Sequence, residues 1–187
     1  MYVCGKYLKE QGKLNGNTVV TTVMSNMGLY KALEREGMRY EQTAVGDKYV
    51  CENMMANGYV IGGEQSGHII FLDENTTGDG LLSALHLLQV MVDTGKPLSE
   101  LSKIMTVLPQ ALVGAKVPNH KKDSYMEYTE IAEAIARVSA KFEGEGRVLI
   151  RPSGTEPLVR VMIEGKDQEM IEKEAKDLAE LIQNVML

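Results

Sequence analysis

At 187 residues, with 44% apolar and 25% charged side chains, the chain has the make-up of a globular protein large enough for one large domain or two small ones. Its net charge of −6 argues against nonspecific binding to nucleic acid or to anionic membranes, and no run nears the roughly 18 apolar residues of a membrane span. With no tryptophan and two phenylalanines, the cores must rest on Leu, Ile, Val and twelve methionines.

The N-terminal run from Met1 to Tyr7 lacks the basic start and apolar core of a signal peptide, and Tyr2 to Gln11 can form a helix. A β-branched run, Asn17 to Val23, reads as a strand. Asn26 to Glu36 is helical, with Gly37 as its stop, and Met38 to Thr43 is a short strand. A helix from Asp47 to Ala56 ends at Asn57-Gly58. Strands follow at Tyr59 to Ile61 and Ile69 to Leu72, then a long apolar helix at Gly80 to Asp93, expected in a core. Lys96-Pro97 opens a further helix, Leu98 to Met105. This alternation predicts a mixed, mainly parallel α/β/α sandwich over residues 1–106.

The pattern changes after Leu108-Pro109. Leu112 to Val117 is a strand. Glu127 to Phe142 is an amphipathic helix, with Ile131, Ile135, Val138 and Phe142 on one face. Two strands flank residues 151–157, and a last helix carries Ile171, Ala175, Leu178, Ile182 and Val185 at helical spacing. The expectation for residues 107–187 is a small α+β domain: an antiparallel sheet with two helices. Cys4 and Cys51 have no partner at metal or CxxC spacing, so free thiols in a reducing, cytoplasmic compartment are expected.

The segment richest in chemistry is Arg151-Pro152-Ser153-Gly154-Thr155-Glu156-Pro157, read as the loop joining Arg147–Ile150 to Leu158–Ile163. Two prolines stiffen it, and Gly154 admits backbone geometry that other residues resist. Ser153 and Thr155 offer hydroxyls, and successive backbone amides in such a turn can form an anion nest. Arg151 at the shoulder and Arg160 in the next strand supply planar forks suited to phosphate oxygens. A phosphate cradle fits these residues better than a rigid hairpin with two exposed arginines. A helix cap at Ser153-x-x-Glu156 is excluded by Pro157.

A second constellation, Gly62-Gly63-Glu64-Gln65-Ser66-Gly67-His68, lies at the C-terminal end of a strand, where ligands of open α/β sheets bind. Glu64 accepts hydrogen bonds, Ser66 does both, and His68 binds or relays a proton near neutral pH. The glycines would let a ligand approach the backbone. Two readings stand on the residues alone: recognition of vicinal sugar hydroxyls, or a glycine-rich turn with a surface Glu and a structural His.

Other patterns fail on spacing. Ser66 lacks the flanking glycines of a nucleophile elbow, and the calcium-like Asp73-x-Asn75 run has Ala84 where a bidentate carboxylate is needed. Asp79 reads as a helix cap, His86 as a core or flank histidine, and His120 beside Lys121-Lys122 as solvated loop. No acidic cluster is dense enough to hold a metal alone.

Together, Gly63–His68 and Arg151–Pro157 resemble the sugar-recognition loop of the third domain and the phosphate-binding loop of the fourth in the α-D-phosphohexomutase superfamily. Gln65 and Thr76-Thr77-Gly78-Asp79-Gly80 are most similar to its bacterial amino-sugar branch. The resemblance covers essentially the whole chain. It implies a hexosamine phosphate as substrate, with Glu64 and Ser66 on the sugar hydroxyls and His68 near the reacting oxygen as a possible proton relay. Arg151, Ser153, Gly154 and Thr155 would hold the phosphate that is not transferred, and Arg160 is carried over from its strand position. Gly46-Asp47-Lys48 matches a further cleft-facing loop of no assigned role. The family's phosphoserine loop and Asp-rich magnesium loop, which belong to its first two domains, have no counterpart here. The resemblance therefore implies a fragment that lacks the N-terminal domains, binds no Mg2+ itself and contains no catalytic nucleophile. Related glucose or mannose phosphate mutases, and a stand-alone phosphosugar-binding module, are the alternatives.

Overall fold

Thr18–Thr22 (β1) is rich in β-branched residues and buried at every position, as an interior strand of a parallel sheet must be. The computed structural model of the chain describes residues 1–187, which divide into two units, Met1–Val107 and Leu108–Leu187. In the first, β1 pairs in parallel with the polar edge strand Arg39–Thr43 (β2) and with Ile61–Gly63 (β3). β3 then turns back antiparallel into Ile69–Phe71 (β4), giving the sheet order β2-β1-β3-β4. The sheet is thus mixed, with parallel pairs in the majority.

Helices cover both faces. Tyr2–Glu10 (α1) and Met27–Arg35 (α2) pack with Val19, Ile61 and Phe71 on one side. Asp47–Asn57 (α3) packs Val50 and Met54 against Val20 and Ile70 on the other. Local chemistry sets the helix ends: the Asn26 side chain accepts the Gly28 amide at 3.0 Å, and Gly37 and Gly58 take the left-handed conformation as stops (φ 64° and 69°).

Three expectations in this unit need correction. β3 is displaced by two residues from Tyr59–Ile61 to Ile61–Gly63: Tyr59 and Val60 stay outside it, while Gly62 and Gly63 enter the ladder opposite Ile70 and Ile69. The stretch Leu98–Met105 is helical only over Leu98–Leu101 (α5). Beyond it the chain runs along α2, where Arg35 donates to the Ile104 carbonyl and the Thr106 carbonyl stands over Gly28. The long helix Gly80–Thr94 (α4) is not a core helix. Val90 is buried and Leu82 and Leu87 pack partly, but Leu81, Leu85, Leu88 and Val92 form an exposed stripe, Leu81 and Val92 about three-quarters exposed. A helix that is apolar all round does not reveal from sequence which side faces the sheet.

The second unit is an antiparallel sheet, Gln110–Lys116 (β5), Arg147–Pro152 (β6) and Leu158–Glu164 (β7), in the order β5-β7-β6. Val159, Val161 and Ile163 of β7 alternate onto one core with Thr129–Lys141 (α6) and Gln168–Met186 (α7). Ile131 and Val138 are buried as their spacing predicts, and in the last turn of α7 Met186, more than Val185, closes the core. A 3₁₀ segment, Lys122–Glu127, precedes α6, which therefore starts two residues later than its pattern predicts. The fully buried Glu164 accepts from Arg147 at 2.6 Å and from Gln110 at 3.0 Å, tying all three strands together. No helix of the chain is long and apolar enough to cross a membrane.

Candidate functional site

Each unit presents one of the two loops singled out in the sequence, and each loop turns out to be the tip of an antiparallel hairpin. In the first unit β3 and β4 hold Gly63 opposite Ile69, leaving residues 64–68 as the tip. The Glu64 amide donates to the His68 carbonyl at 2.8 Å, and the Gly67 amide to the Glu64 carbonyl at 3.2 Å. Gly67 has φ 106°, so the turn itself demands glycine there. Gly62 and Gly63 are glycine for a different reason. A Cβ on Gly62 would lie 2.6 Å from Met54 Sδ, and one on Gly63 only 2.3 Å from the His68 carbonyl oxygen. The expectation that these glycines leave the backbone open to a ligand is therefore wrong for Gly62 and Gly63, which are buried and filled by packing.

Ser66 and His68 are exposed and line one cavity of about 250 Å³, together with Gly67, Ile69, Gly78, Asp79 and Gly80. Gly78 provides the seat for the His68 imidazole, since a Cβ there would stand 2.9 Å from its Cδ2. Asp79 caps α4 by accepting the Leu82 amide at 3.0 Å, as its place in the sequence predicts. Glu64 is half-buried and faces elsewhere: its Oε1 accepts the Gly46 amide at 2.9 Å. The structure thus joins the Gly46 turn to the loop through a bond between residues eighteen apart that no local pattern pairs. His86 is a flank residue, stacked 3.9 Å from Phe71 and bonded to Glu74 at 2.7 Å.

In the second unit Arg151 and Pro152 belong to β6, so the loop is shorter than the heptapeptide. Proline is tolerated there because β6 is an edge strand. Ser153 is 3% exposed and organises the tip from inside. Its amide donates to the Leu158 carbonyl at 2.9 Å, and its hydroxyl accepts from the Glu156 amide at 3.3 Å and from Arg160 at 3.5 Å. Gly154 does not have a positive φ, and a Cβ on it would meet nothing within 4 Å. The expectation that Gly154 serves an unusual backbone conformation is therefore wrong. Gly154 and Thr155 are exposed, and no hydrogen bond within the chain takes either amide.

Arg151 and Arg160 stand directly opposite each other on β6 and β7, and so project from the same face. Burial, and secondarily the charge of Arg160, pulls the Arg151 guanidinium below the usual arginine range, and its Nε is buried without a hydrogen-bond partner. Arg160 also donates to the Glu156 carboxylate. Behind the loop, Lys122 Nζ donates to the Ser153 carbonyl at 2.7 Å and Tyr125 Oη to the Ile150 carbonyl at 3.1 Å. Burial also raises the Tyr125 phenol above its usual range. Lys122 carries no signal in the sequence beyond lying near the loop residue His120; only its fold neighbours reveal it as a third cation at this tip. No three His, Cys, Asp or Glu side chains are grouped to hold a metal ion in this chain.

Residues 1–108 match the family model described as phosphoglucomutase/phosphomannomutase, alpha/beta/alpha domain III, and residues 87–181 match the C-terminal domain of the same family. The chain is 58% identical over 183 residues to the phosphoglucosamine mutase of Clostridium novyi and 56% identical to that of Clostridium acetobutylicum. In both alignments 98% of this chain is covered but only 41% of the relative. Among solved structures, an Aspergillus fumigatus N-acetylphosphoglucosamine mutase superposes with a TM-score of 0.79 at 19% identity, over 98% of this chain and 42% of that one. The same fungal enzyme solved in complex with GlcNAc-6P and magnesium gives 0.76 at 18% identity, over 99% and 42%. An N-acetylglucosamine-phosphate mutase in its substrate complex gives 0.75 at 23%, over 96% and 43%. Likeness at these identities establishes the fold, while the family models establish descent: the chain belongs to the phosphoglucomutase/phosphomannomutase family, of which it carries the third and C-terminal domains.

Proposed function

We propose that this chain is the substrate-binding part of a phosphoglucosamine mutase, an isomerase interconverting glucosamine 6-phosphate and glucosamine 1-phosphate through a phosphoserine and a bisphosphorylated intermediate. The observation that carries the reading is the tip of the second unit. Two adjacent exposed amides, Gly154 and Thr155, stand free beside two opposed arginines, one of them with an unpartnered buried nitrogen. Unpartnered hydrogen-bond donors beside two opposed positive charges, of which only Arg160 is paired with a carboxylate, favour an anion, and a phosphate dianion answers both. In the first unit, Ser66 and His68 share a small polar cavity suited to sugar hydroxyls, while Glu64, from the same loop, faces the Gly46 turn and offers its second carboxylate oxygen as an acceptor. A hexosamine phosphate carries both kinds of group.

In this reading the chain supplies positioning and part of the positive charge for phosphoryl transfer. Arg151, Ser153, Gly154, Thr155 and Arg160 hold the distal phosphate, with Ser153 acting chiefly through the shape of the loop. Glu64, Ser66 and His68 hold the sugar. The nucleophilic serine and the magnesium ligands lie in domains outside these 187 residues, and those domains are its partners. A cytoplasmic setting suits an enzyme of phosphorylated sugars. A coupled assay of the purified chain with glucosamine 6-phosphate is expected to show binding without turnover, and turnover would overturn the division of labour. Equal affinity for glucose and mannose 6-phosphates would shift the reading to a neutral-sugar mutase of the same family.

A further inference from the structure

One of the two guanidiniums at the proposed phosphate site is already occupied. Arg160 donates to the carboxylate of Glu156, four residues earlier at the exposed tip of the same hairpin, and to the buried Ser153 hydroxyl at 3.5 Å. The pairing has a physical cause. Arg151 and Arg160 are directly opposed across β6 and β7, and like charges in that position repel. Lys122 adds a third positive charge at the Ser153 carbonyl. Glu156 brings a negative charge to this group from a side chain about half exposed, so it is tethered by the chain yet free to swing into water.

We propose that Glu156 is a built-in competitor for phosphate: its carboxylate neutralises Arg160 in the ligand-free chain and is displaced when a phosphate dianion takes that guanidinium. The inference rests on the reading of this loop as a phosphate cradle and adds a specificity device to it. A monoanion offers Arg160 nothing that Glu156 does not already give. A dianion that reaches Arg151, Arg160 and the free amides of Gly154 and Thr155 together outcompetes a single tethered carboxylate. Glu156 thus lowers absolute affinity and sharpens selection for a dianionic group. Because the pair is exposed, its displacement costs little, and the affinity withheld is about threefold.

The test is a titration of the full 187-residue chain with inorganic phosphate, followed by NMR at the Gly154 and Thr155 amides and at the Glu156 side-chain carboxyl carbon. Glu156→Gln keeps the size of the side chain and removes its charge at an exposed position. The variant is expected to bind phosphate about threefold more tightly than the wild type. In the wild type, the Glu156 carboxyl signal is expected to move towards that of a free glutamate at saturation. Unchanged or weaker binding by Glu156→Gln would overturn the competition, and so would a Glu156 signal that stays put at saturation. If neither protein shows phosphate-dependent shifts at Gly154 and Thr155, the cradle itself is wrong and the competition falls with it. Binding by the wild type without the gain removes only the competition.

Discussion

The two hairpin tips use glycine for opposite reasons. In the first unit, Gly63 is glycine because the His68 carbonyl leaves no space for a side chain, and Gly67 because the turn takes φ 106°. In the second, Gly154 has ordinary backbone geometry and open space where a Cβ would stand. Neither packing nor conformation requires glycine at 154, where the Gly154 and Thr155 amides are free and Arg151 has a nitrogen without a partner. The difference separates glycines that the fold requires from one that it does not, the one assigned to the proposed phosphate site.

Substitutions break or sharpen this contrast, and the largest effect is expected at Gly63. Gly63→Ala places a methyl 2.3 Å from a backbone oxygen and 3.1 Å from the Ile69 Cα, neither of which can turn aside. Overpacking against backbone is expected to cost about 3 kcal/mol, read as a lowered midpoint in urea denaturation. Gly154→Ala should leave that midpoint within about 0.5 kcal/mol of the wild type. Its effect is expected on binding instead, because a methyl group would take up open space next to the free Gly154 and Thr155 amides. Losing one charge-assisted hydrogen bond of about 1.5 kcal/mol weakens phosphate by roughly tenfold, measurable in the same titration. Equal effects of both alanines on stability would erase the contrast.

The smallest effect is expected at Gly78. The obstacle to a Cβ there is an exposed imidazole that can rotate away, so Gly78→Ala should cost under about 1 kcal/mol while moving the His68 ring resonances. Gly80→Ala, two residues on at the start of α4 and with nothing within 4 Å, is the matched control and should leave that ring unmoved. If both variants shift His68 equally, Gly78 is not its seat.

What the sequence revealed and what it concealed follow a physical line. Period-2 and period-3.6 patterns exposed β1, β7, α6 and α7, because each buries one consistent face or is buried throughout. The apolar α4 defeated the same logic: with leucine on every side, only the fold decides that Leu81, Leu85, Leu88 and Val92 face outward. Residue type and order singled out both loops, and the structure places each at the tip of an antiparallel hairpin, since hydroxyls, glycines and prolines mark a turn locally. Partners distant in sequence stayed hidden. Nothing near Lys122 signals that its ammonium reaches Ser153, thirty-one residues away, or near Gly46 that its amide meets Glu64. Glycine was the most misleading letter, because four glycines that look alike in sequence answer to packing at Gly62 and Gly63, to backbone conformation at Gly67 and to neither at Gly154.

The central claim is that one chain carries both a sugar loop and a phosphate loop for the same ligand. Its most direct test is an amide titration of the 187-residue chain with glucosamine 6-phosphate, run beside inorganic phosphate. The account predicts shifts at Ser153 to Thr155 and the Arg151 and Arg160 side chains with both ligands, and at Glu64 to His68 with the sugar phosphate alone. Shifts confined to the phosphate loop with both ligands would contradict it, leaving an anion site without a sugar site.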